Sequence, residues 1–115
     1  MSEHLGELAN PAAYRNFVKT IEQFKSLLRV DPALMACDMH PDYAATRYAR
    51  ASGRPISLVQ HHHAHVVSCM ADAGITGRVV GISCDGTGYG TDGAIWGCEI
   101  LICDEVTSAL DMSVQ

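Results

Sequence analysis

Four histidines stand within five consecutive residues, and they are the strongest chemical signal in the sequence: His61, His62, His63 and His65. On a helix, His61 and His65 would lie about one turn apart, with both rings on the same face. Two imidazoles in that arrangement can bind one divalent ion, with nitrogen–metal distances of about 2.0–2.1 Å. A polar helix start or a chance cluster is the alternative. The density of histidines favours metal binding by His61 and His65, with His62 and His63 pointing elsewhere.

Two histidines seldom suffice to hold a metal ion, and a carboxylate is the usual third ligand. Asp85 is the best candidate because it follows an apolar, β-branched run, and α/β proteins place functional groups at the carboxyl ends of strands. Asp38 and Asp92 are the next candidates. A turn-opening role before Gly86 explains Asp85 about equally well without any metal.

The segment 85–93 contains four glycines in nine residues. Glycines allow backbone N–H groups to turn inward and approach an anion closely. The segment lacks the lysine ending of a Walker A loop, and a strand rather than a helix follows it, which excludes the dinucleotide fingerprint. Composition alone slightly favours a flexible hairpin connection over a phosphate-binding loop.

Asp38 and His40 lie where a predicted strand meets a predicted helix, which is a suitable place for groups that orient a substrate. Asp38 could instead cap the following helix, and His40 could be an ordinary surface residue. No spacing typical of a catalytic triad is present, and no cysteine has a nucleophile motif around it.

The elements that must position these residues alternate between strand and helix. Asn10 as cap and Pro11 in the first turn predict a helix that ends near Val30. The remaining pattern predicts a strand over 33–37, a helix over 42–51, a strand over 56–60, a helix over 61–73, and a hairpin of strands 78–84 and 94–103. This order indicates an α/β layered fold with a sheet of about four strands, and no regular element in 104–115.

Length and composition restrict the class of protein. The chain has 115 residues, of which 48% are hydrophobic and 18% charged, with a net charge of −5, so it is neither disordered nor a typical duplex nucleic-acid binder. No run approaches the ~18 apolar residues of a membrane span, and no signal peptide is visible. The cysteines are odd in number and lack CxxC pairs, which predicts reduced, buried thiols and a cytoplasmic location.

Three ordered motifs closely resemble the HypF family of carbamoyltransferases. They are C-D-M-H-P-D-Y-A-A-T-R-Y-A (37–49), V-Q-H-H-H-A-H-V-V-S-C-M-A (59–71) and C-D-G-T-G-Y-G-T-D-G-A-I-W-G-C-E (84–99). The opening S-E-H-L-G-E-L (2–8) also looks like a HypF segment. Looser relatives are the O-carbamoyltransferases of antibiotic biosynthesis and the tRNA threonylcarbamoyladenosine transferases, which share the H-x-x-x-H pair but not the other two motifs.

The resemblance implies a sugar-kinase/Hsp70-like (ASKHA) α/β fold and a role in maturation of nickel–iron hydrogenases. In the family, ATP and carbamoyl phosphate give carbamoyl adenylate in a separate domain. The domain resembled here then transfers the carbamoyl group to the C-terminal cysteine of HypE, and the product is later dehydrated to the cyanide ligand of the hydrogenase iron.

The resemblance also assigns roles to individual residues. His61, His65 and Asp85 match metal ligands, for zinc or iron. Asp38 and His40 match a catalytic position near the carbamoyl group. The loop that matches the nucleotide-contacting hairpin comprises Asp85, Gly86, Thr87, Gly88, Tyr89, Gly90 and Thr91.

The expected domain is residues 1–115 as one partial carbamoyltransferase domain, from the end of the first half of the ASKHA fold to the start of the second. Three hypotheses follow: a carbamoyltransferase completed by other chains, an inactive remnant that at most binds a metal ion, and a non-catalytic module that binds HypE. A fragment of an O-carbamoyltransferase-related enzyme is a further alternative. Neither nucleic acid nor a membrane is an expected partner.

Overall fold

The computed structural model describes residues 2–103, and the tail 104–115, for which the sequence predicted no regular element, lies outside the described residues. The elements in chain order are α1 (Pro11–Leu28), β1 (Met35–Asp38), α2 (Ala44–Ala51), β2 (Ile56–Val59), α3 (His61–Asp72), β3 (Val79–Ser83), β4 (Gly88–Tyr89), β5 (Ile95–Trp96) and β6 (Glu99–Cys103).

A sequence signal accounts for the start of α1, and the backbone conformation of Arg29 closes its end. The Asn10 side chain accepts a hydrogen bond from the backbone N–H of Ala12 at 2.8 Å, and Pro11 occupies the first turn. The helix ends at Leu28, two residues before the predicted end near Val30. Arg29 takes a left-handed conformation with φ of 53° and donates its N–H to carbonyls of the last turn, which closes the helix.

β1, α2 and β2 form a parallel β–α–β unit. In its register Asp38 pairs with Val59, so both strands end at the same edge. Helix α2 begins at Ala44, later than the predicted start at residue 42. The buried Thr46 hydroxyl donates to the backbone carbonyl of Asp38 at 3.0 Å and fixes α2 against the end of β1.

Helix α3 packs on one face of an antiparallel pair formed by β3 and β6. The small core between them contains the buried Val66, Met70 and Cys103, with Val79 and Leu101 packed against it. A Cβ at Gly81 would overlap the Val66 side chain, so this glycine permits the close approach of the helix to the strand.

The predicted hairpin is confirmed in the β3–β6 pair, but two details of the prediction are wrong. The described strands form three separate two-stranded sheets, not one sheet of about four strands. Residues 94–103 are also not a single strand, because Gly97 and Cys98 separate β5 from β6. Strand β5 pairs instead with β4, inside the glycine-rich segment.

The opposite face of the β3–β6 pair is apolar and open. Its side chains are two cross-strand pairs, Val80 with Ile102 and Ile82 with Ile100, each 66–73% exposed.

The cysteines also differ from the expectation of buried thiols. No disulfide joins any of the five, which all lie within residues 2–103; only Cys103 is buried, whereas Cys69, Cys84 and Cys98 are exposed. Among the described residues, no helix is both long and apolar enough to cross a membrane.

Candidate metal centre

Asp38 and His61 meet because the two parallel strands end together. Strand β1 ends at Asp38, and α3 begins at His61, two residues after Val59 ends β2. The Asp38 Oδ2 atom lies 2.7 Å from Nδ1 of His61, and its Oδ1 atom accepts the backbone N–H of His40 at 2.8 Å. The Asp38 carboxylate therefore fixes the orientation of the His61 ring.

Three potential metal-ligating atoms converge on the other side of that ring. Oδ2 of Asp85 lies 2.9 Å from Nε2 of His61 and 3.4 Å from Nε2 of His65, and the two Nε2 atoms are 3.2 Å apart. An ion with bonds of about 2.0–2.1 Å separates its ligands by about 2.9 Å in octahedral and about 3.4 Å in tetrahedral geometry. The triangle of His61, His65 and Asp85 therefore has the size of one coordination face.

The electrostatics of the cluster follow from these contacts. Hydrogen bonding to Asp38, helped by Asp85, raises the pKa of His61 against the opposing effect of partial burial. Hydrogen bonding from His61, followed by the backbone N–H of Gly86, lowers the pKa of Asp85. The Gly86 N–H reaches Oδ1 of Asp85 at 2.7 Å, which leaves Oδ2 directed at the histidines.

The two other candidates for the third ligand have different positions. Asp92 accepts the Ala94 N–H at 2.9 Å and the indole N–H of Trp96 at 3.2 Å, so it is engaged in the turn of the β4–β5 hairpin. Asp38 bonds to Nδ1 of His61, whereas the cluster is formed by Nε2. Of the three carboxylates, Asp85 alone belongs to the three-residue cluster with His61 and His65 found among residues 2–103.

Two glycines of the segment 85–93 leave space for the ring side chains of neighbouring residues. A Cβ at Gly88 would overlap the imidazole of His62, and one at Gly90 would overlap the indole of Trp96. The N–H groups of Gly86 and Gly93 donate to Asp85 and Gly90 within the segment, and that of Gly90 donates to Ala94, the next residue after it. Close packing therefore explains Gly88 and Gly90, and nucleotide contact by residues 85–91 stays a prediction.

His40 lies at the junction between its own motif and the glycine-rich segment. Its ring stacks on Tyr43 with centroids 4.3 Å apart and an interplanar angle of 4°, and it lies 5.0 Å from the ring of Tyr89. Its Nδ1 atom accepts the Asp42 N–H at 3.2 Å. The first and third motifs are thus brought together at His40 and Tyr89, and Asp38 connects this junction to His61 through its bonds to the His40 N–H and to the His61 ring.

His62 is the important residue that the sequence reading did not identify. Its side chain is fully buried, its Nδ1 atom bonds to Glu99, and its Nε2 atom has no hydrogen-bond partner among residues 2–103. Gln60 joins this contact, since its amide donates to Glu99 at 3.2 Å while its oxygen caps α3 through the His63 N–H at 2.8 Å. The available signal was the spacing, because His62 precedes Val66 and Met70 by one and two turns on the buried face.

The α/β elements and the histidine–aspartate cluster lie in regions of the chain that match two known protein families. Residues 1–72 match the family described as HypF Kae1-like domain, and residues 81–110 match the one described as Carbamoyltransferase, Kae1-like Domain, second subdomain. The chain belongs to the HypF family. His61 and His65 lie in the first matched region and Asp85 in the second, so the cluster joins the two.

Individual relatives agree with this assignment. The chain is 43% identical over 102 residues to the carbamoyltransferase HypF of Synechocystis and 44% identical over 104 residues to that of Rhizobium leguminosarum. These alignments cover 88% and 90% of the chain but only 13% and 14% of the relatives. A crystal structure of full-length HypF in its phosphate- and nucleotide-bound form matches with a TM-score of 0.85 at 51% identity, over 90% of this chain and 14% of that one.

The fold expectation is thereby confirmed at the level of class. The chain is α/β, it has the fold of the corresponding part of HypF, and the Kae1-like description agrees with a partial sugar-kinase/Hsp70-like fold. The expected domain extent over residues 1–115 remains a prediction.

Proposed function

We propose that this chain forms the metal-binding part of a HypF-type carbamoyl-transfer site. The transfer would move a carbamoyl group from carbamoyl adenylate to the C-terminal cysteine of HypE, on the route to the cyanide ligand of nickel–iron hydrogenases. The proposal depends on one observation: three ligating atoms of His61, His65 and Asp85 converge in a chain whose relatives are named carbamoyltransferases.

The residues fit a divalent ion, zinc or iron. The two imidazole nitrogens and one carboxylate oxygen would hold it, and positions would remain open for another ligand. Such an ion supplies Lewis-acid polarisation to an oxygen atom bound beside it. Asp38 keeps the proton of His61 on Nδ1, which leaves the Nε2 lone pair for the ion, and Gly86 holds the Asp85 carboxylate in place.

The substrate would lie where the first and third motifs meet. His40 is fixed by Tyr43 and Asp42 and lies next to Tyr89 of the glycine-rich segment. We assign carbamoyl adenylate to this junction, with His40 near the carbamoyl group. The attacking thiolate comes from HypE, so none of the exposed cysteines of this chain is needed as a nucleophile.

Metal binding by the purified chain tests the first half of the proposal. We expect about one zinc ion per chain by isothermal titration, and at least about a hundredfold weaker binding when His61→Ala and His65→Ala are combined. His63→Ala is the matched control, since it removes a histidine from the same helix but not from the cluster. Equal zinc affinity in the double variant and the control would overturn the metal assignment.

Carbamoyl transfer requires a full-length context, because the chain spans only 13–14% of the relatives named above. The test is a full-length HypF that carries this sequence in place of its own matching segment. Asp85→Ala should abolish the carbamoyl mass added to HypE while carbamoyl-phosphate-dependent release of pyrophosphate from ATP continues, since the adenylate forms in a separate domain. Loss of both reactions would indicate a purely structural role for Asp85.

The 115-residue chain alone should leave HypE unmodified, with the remaining functions supplied by other chains or domains. Transfer that persists in the Asp85→Ala chimera would show that the assignment of Asp85 as a metal ligand is wrong, and Asp92 or Asp38 would become the better candidate.

A further inference from the structure

Two exposed thiols lie opposite each other where the β3–β6 pair meets the segment that contains the β4–β5 hairpin, a position that we call the hairpin neck. Cys84 directly follows β3 and Cys98 directly precedes β6. Their sulfur atoms are 3.9 Å apart, and both residues are exposed and free. The register of the β3–β6 pair explains the contact, because it joins Ser83 to Glu99 and its next position joins Cys84 to Cys98.

The backbone geometry at this position suits a disulfide bond. Directly opposite residues of antiparallel strands have Cα atoms about 4.5–5.5 Å apart. Disulfides span Cα separations of about 4.4–6.8 Å, with a sulfur–sulfur bond of about 2.05 Å. The sulfur atoms of Cys84 and Cys98 therefore need to approach by roughly 2 Å, which rotation about the side-chain bonds can supply without rearranging the strands.

We propose that Cys84 and Cys98 form a reversible disulfide, which makes the hairpin neck a thiol–disulfide exchange site. A disulfide oxidant such as oxidised glutathione supplies the chemistry. One cysteine thiolate attacks it, a mixed disulfide forms, and one reduced glutathione leaves. The second cysteine thiolate then displaces the second glutathione. The chain loses two electrons and two protons, and the oxidant is reduced to two thiols.

The neighbours of the two cysteines connect this site to the rest of the molecule. Asp85 of the metal-ligating cluster follows Cys84, and Glu99, which holds the buried His62, follows Cys98. A bond between the two sulfurs would fix the backbone at both points. The thiol chemistry itself does not rest on the proposed metal site.

The test is oxidation of the native chain by oxidised glutathione in the presence of a chelator, followed by intact-mass and peptide mapping. We expect a mass loss of about 2 Da, a peptide link between Cys84 and Cys98, and reversal by dithiothreitol. Cys69→Ser, which removes another exposed thiol, should keep the link. Cys84→Ser should lose it and retain a glutathione adduct on Cys98.

Two results would overturn the proposal. One is a native chain that accumulates only glutathione adducts on its exposed thiols. The other is a link between Cys84 and Cys98 that is no more frequent in the native chain than in the same chain oxidised in urea. Because the chelator removes divalent ions, the outcome is independent of whether His61, His65 and Asp85 bind metal.

Discussion

Asp38 acts on the histidine–aspartate cluster through the ring of His61. Its carboxylate bonds to Nδ1 of His61 at 2.7 Å, and the cluster is formed by the opposite nitrogen of the same ring. A carboxylate in this position selects the tautomer of a ligating histidine and raises its basicity. Asp38 is therefore a positioning residue for the cluster, in addition to its predicted place near the carbamoyl group.

Replacing Asp38 by Asn should weaken zinc binding about 10–100-fold, because the neutral amide orients the His61 ring less firmly. Isothermal titration of the purified chain measures the affinity. Asp72→Asn, an exposed aspartate at the far end of α3, is the control and should bind zinc like the wild type. An unchanged affinity in Asp38→Asn would show that His61 is oriented by other contacts.

His62 should contribute to stability far more than its neighbour His63. Replacing the fully buried His62 by Ala leaves a cavity and removes one of the two hydrogen-bond partners described for Glu99, so the free energy of unfolding should fall by about 2–4 kcal/mol. Chemical denaturation followed by circular dichroism measures the change. The control is His63→Ala, whose residue is only partly buried, and an equal loss in both variants would contradict the role of the His62–Glu99 contact.

Spacing identified the members of the cluster but not the residues that support them. His61 and His65 could be paired from a helical period, and Asp85 from its place at a strand end. The bonds from Asp38 to His61 and from Glu99 to His62 join residues 23 and 37 positions apart, so no local pattern reveals them. They depend on strand register and helix packing, which are tertiary properties.

At the scale of elements, the β4–β5 hairpin shows how an aromatic side chain can hold a glycine-rich segment in one conformation. The indole of Trp96 lies against Gly90, and its N–H donates to Asp92. Asp92 also accepts the Ala94 N–H, and these bonds, the backbone one first, lower its pKa. Trp96 is the single tryptophan of the chain and so provides a spectroscopic probe of this turn.

Acidification should break the hydrogen bonds that Asp92 accepts in this turn, at a pH below the usual pKa of an aspartate. The pKa of Asp92 is lower in the folded chain than in the unfolded chain. The stabilisation that ionised Asp92 gives to the turn is therefore present above the unfolded pKa of about 3.9, and it is lost as the pH falls through the lowered folded value. Trp96 fluorescence should therefore change with a midpoint below about 3.9. Asp92→Asn should remove this transition, and a midpoint that is the same in the variant would assign the transition to another group.

Element boundaries were predictable where a cap or a proline marks them, as at Asn10 and Pro11. The antiparallel pairing of β3 and β6 was also predictable, since two apolar runs flank a turn-rich segment. The separation of β5 from β6 was not, because residues 94–103 are mostly apolar and were predicted as a single strand despite Gly97 and Glu99. It depends on the packing of Trp96 over Gly90, which pairs β5 with β4.

At the scale of the molecule, the described part of the chain leaves much apolar surface in water. The open face of the β3–β6 pair presents Val80, Ile82, Ile100 and Ile102, while the opposite face packs on α3. Contiguous apolar patches of this kind promote association in solution. The isolated chain should therefore bind an apolar dye and scatter light increasingly with concentration.

Charged residues on the open face of the β3–β6 pair should reduce both the dye binding and the light scattering. Ile82→Lys combined with Ile100→Glu places opposite charges across from each other, so the pair should stay within about 1 kcal/mol of wild-type stability. Leu101→Lys is the matched control, since Leu101 packs on the α3 side and a charge there should unfold the chain. Undiminished dye binding in the double variant would show that the dye binds to a different surface of the chain.

The rings packed against Gly88 and Gly90 also have a genetic consequence. Any missense change in a glycine codon adds at least a Cβ atom, and at these two positions that atom would overlap His62 or Trp96. At Gly77 and Gly97 the same atom meets nothing within 4 Å in the described part of the chain. In a saturation screen, alleles at codons 88 and 90 should consequently be lost, while alanine and serine alleles at codons 77 and 97 persist in the population.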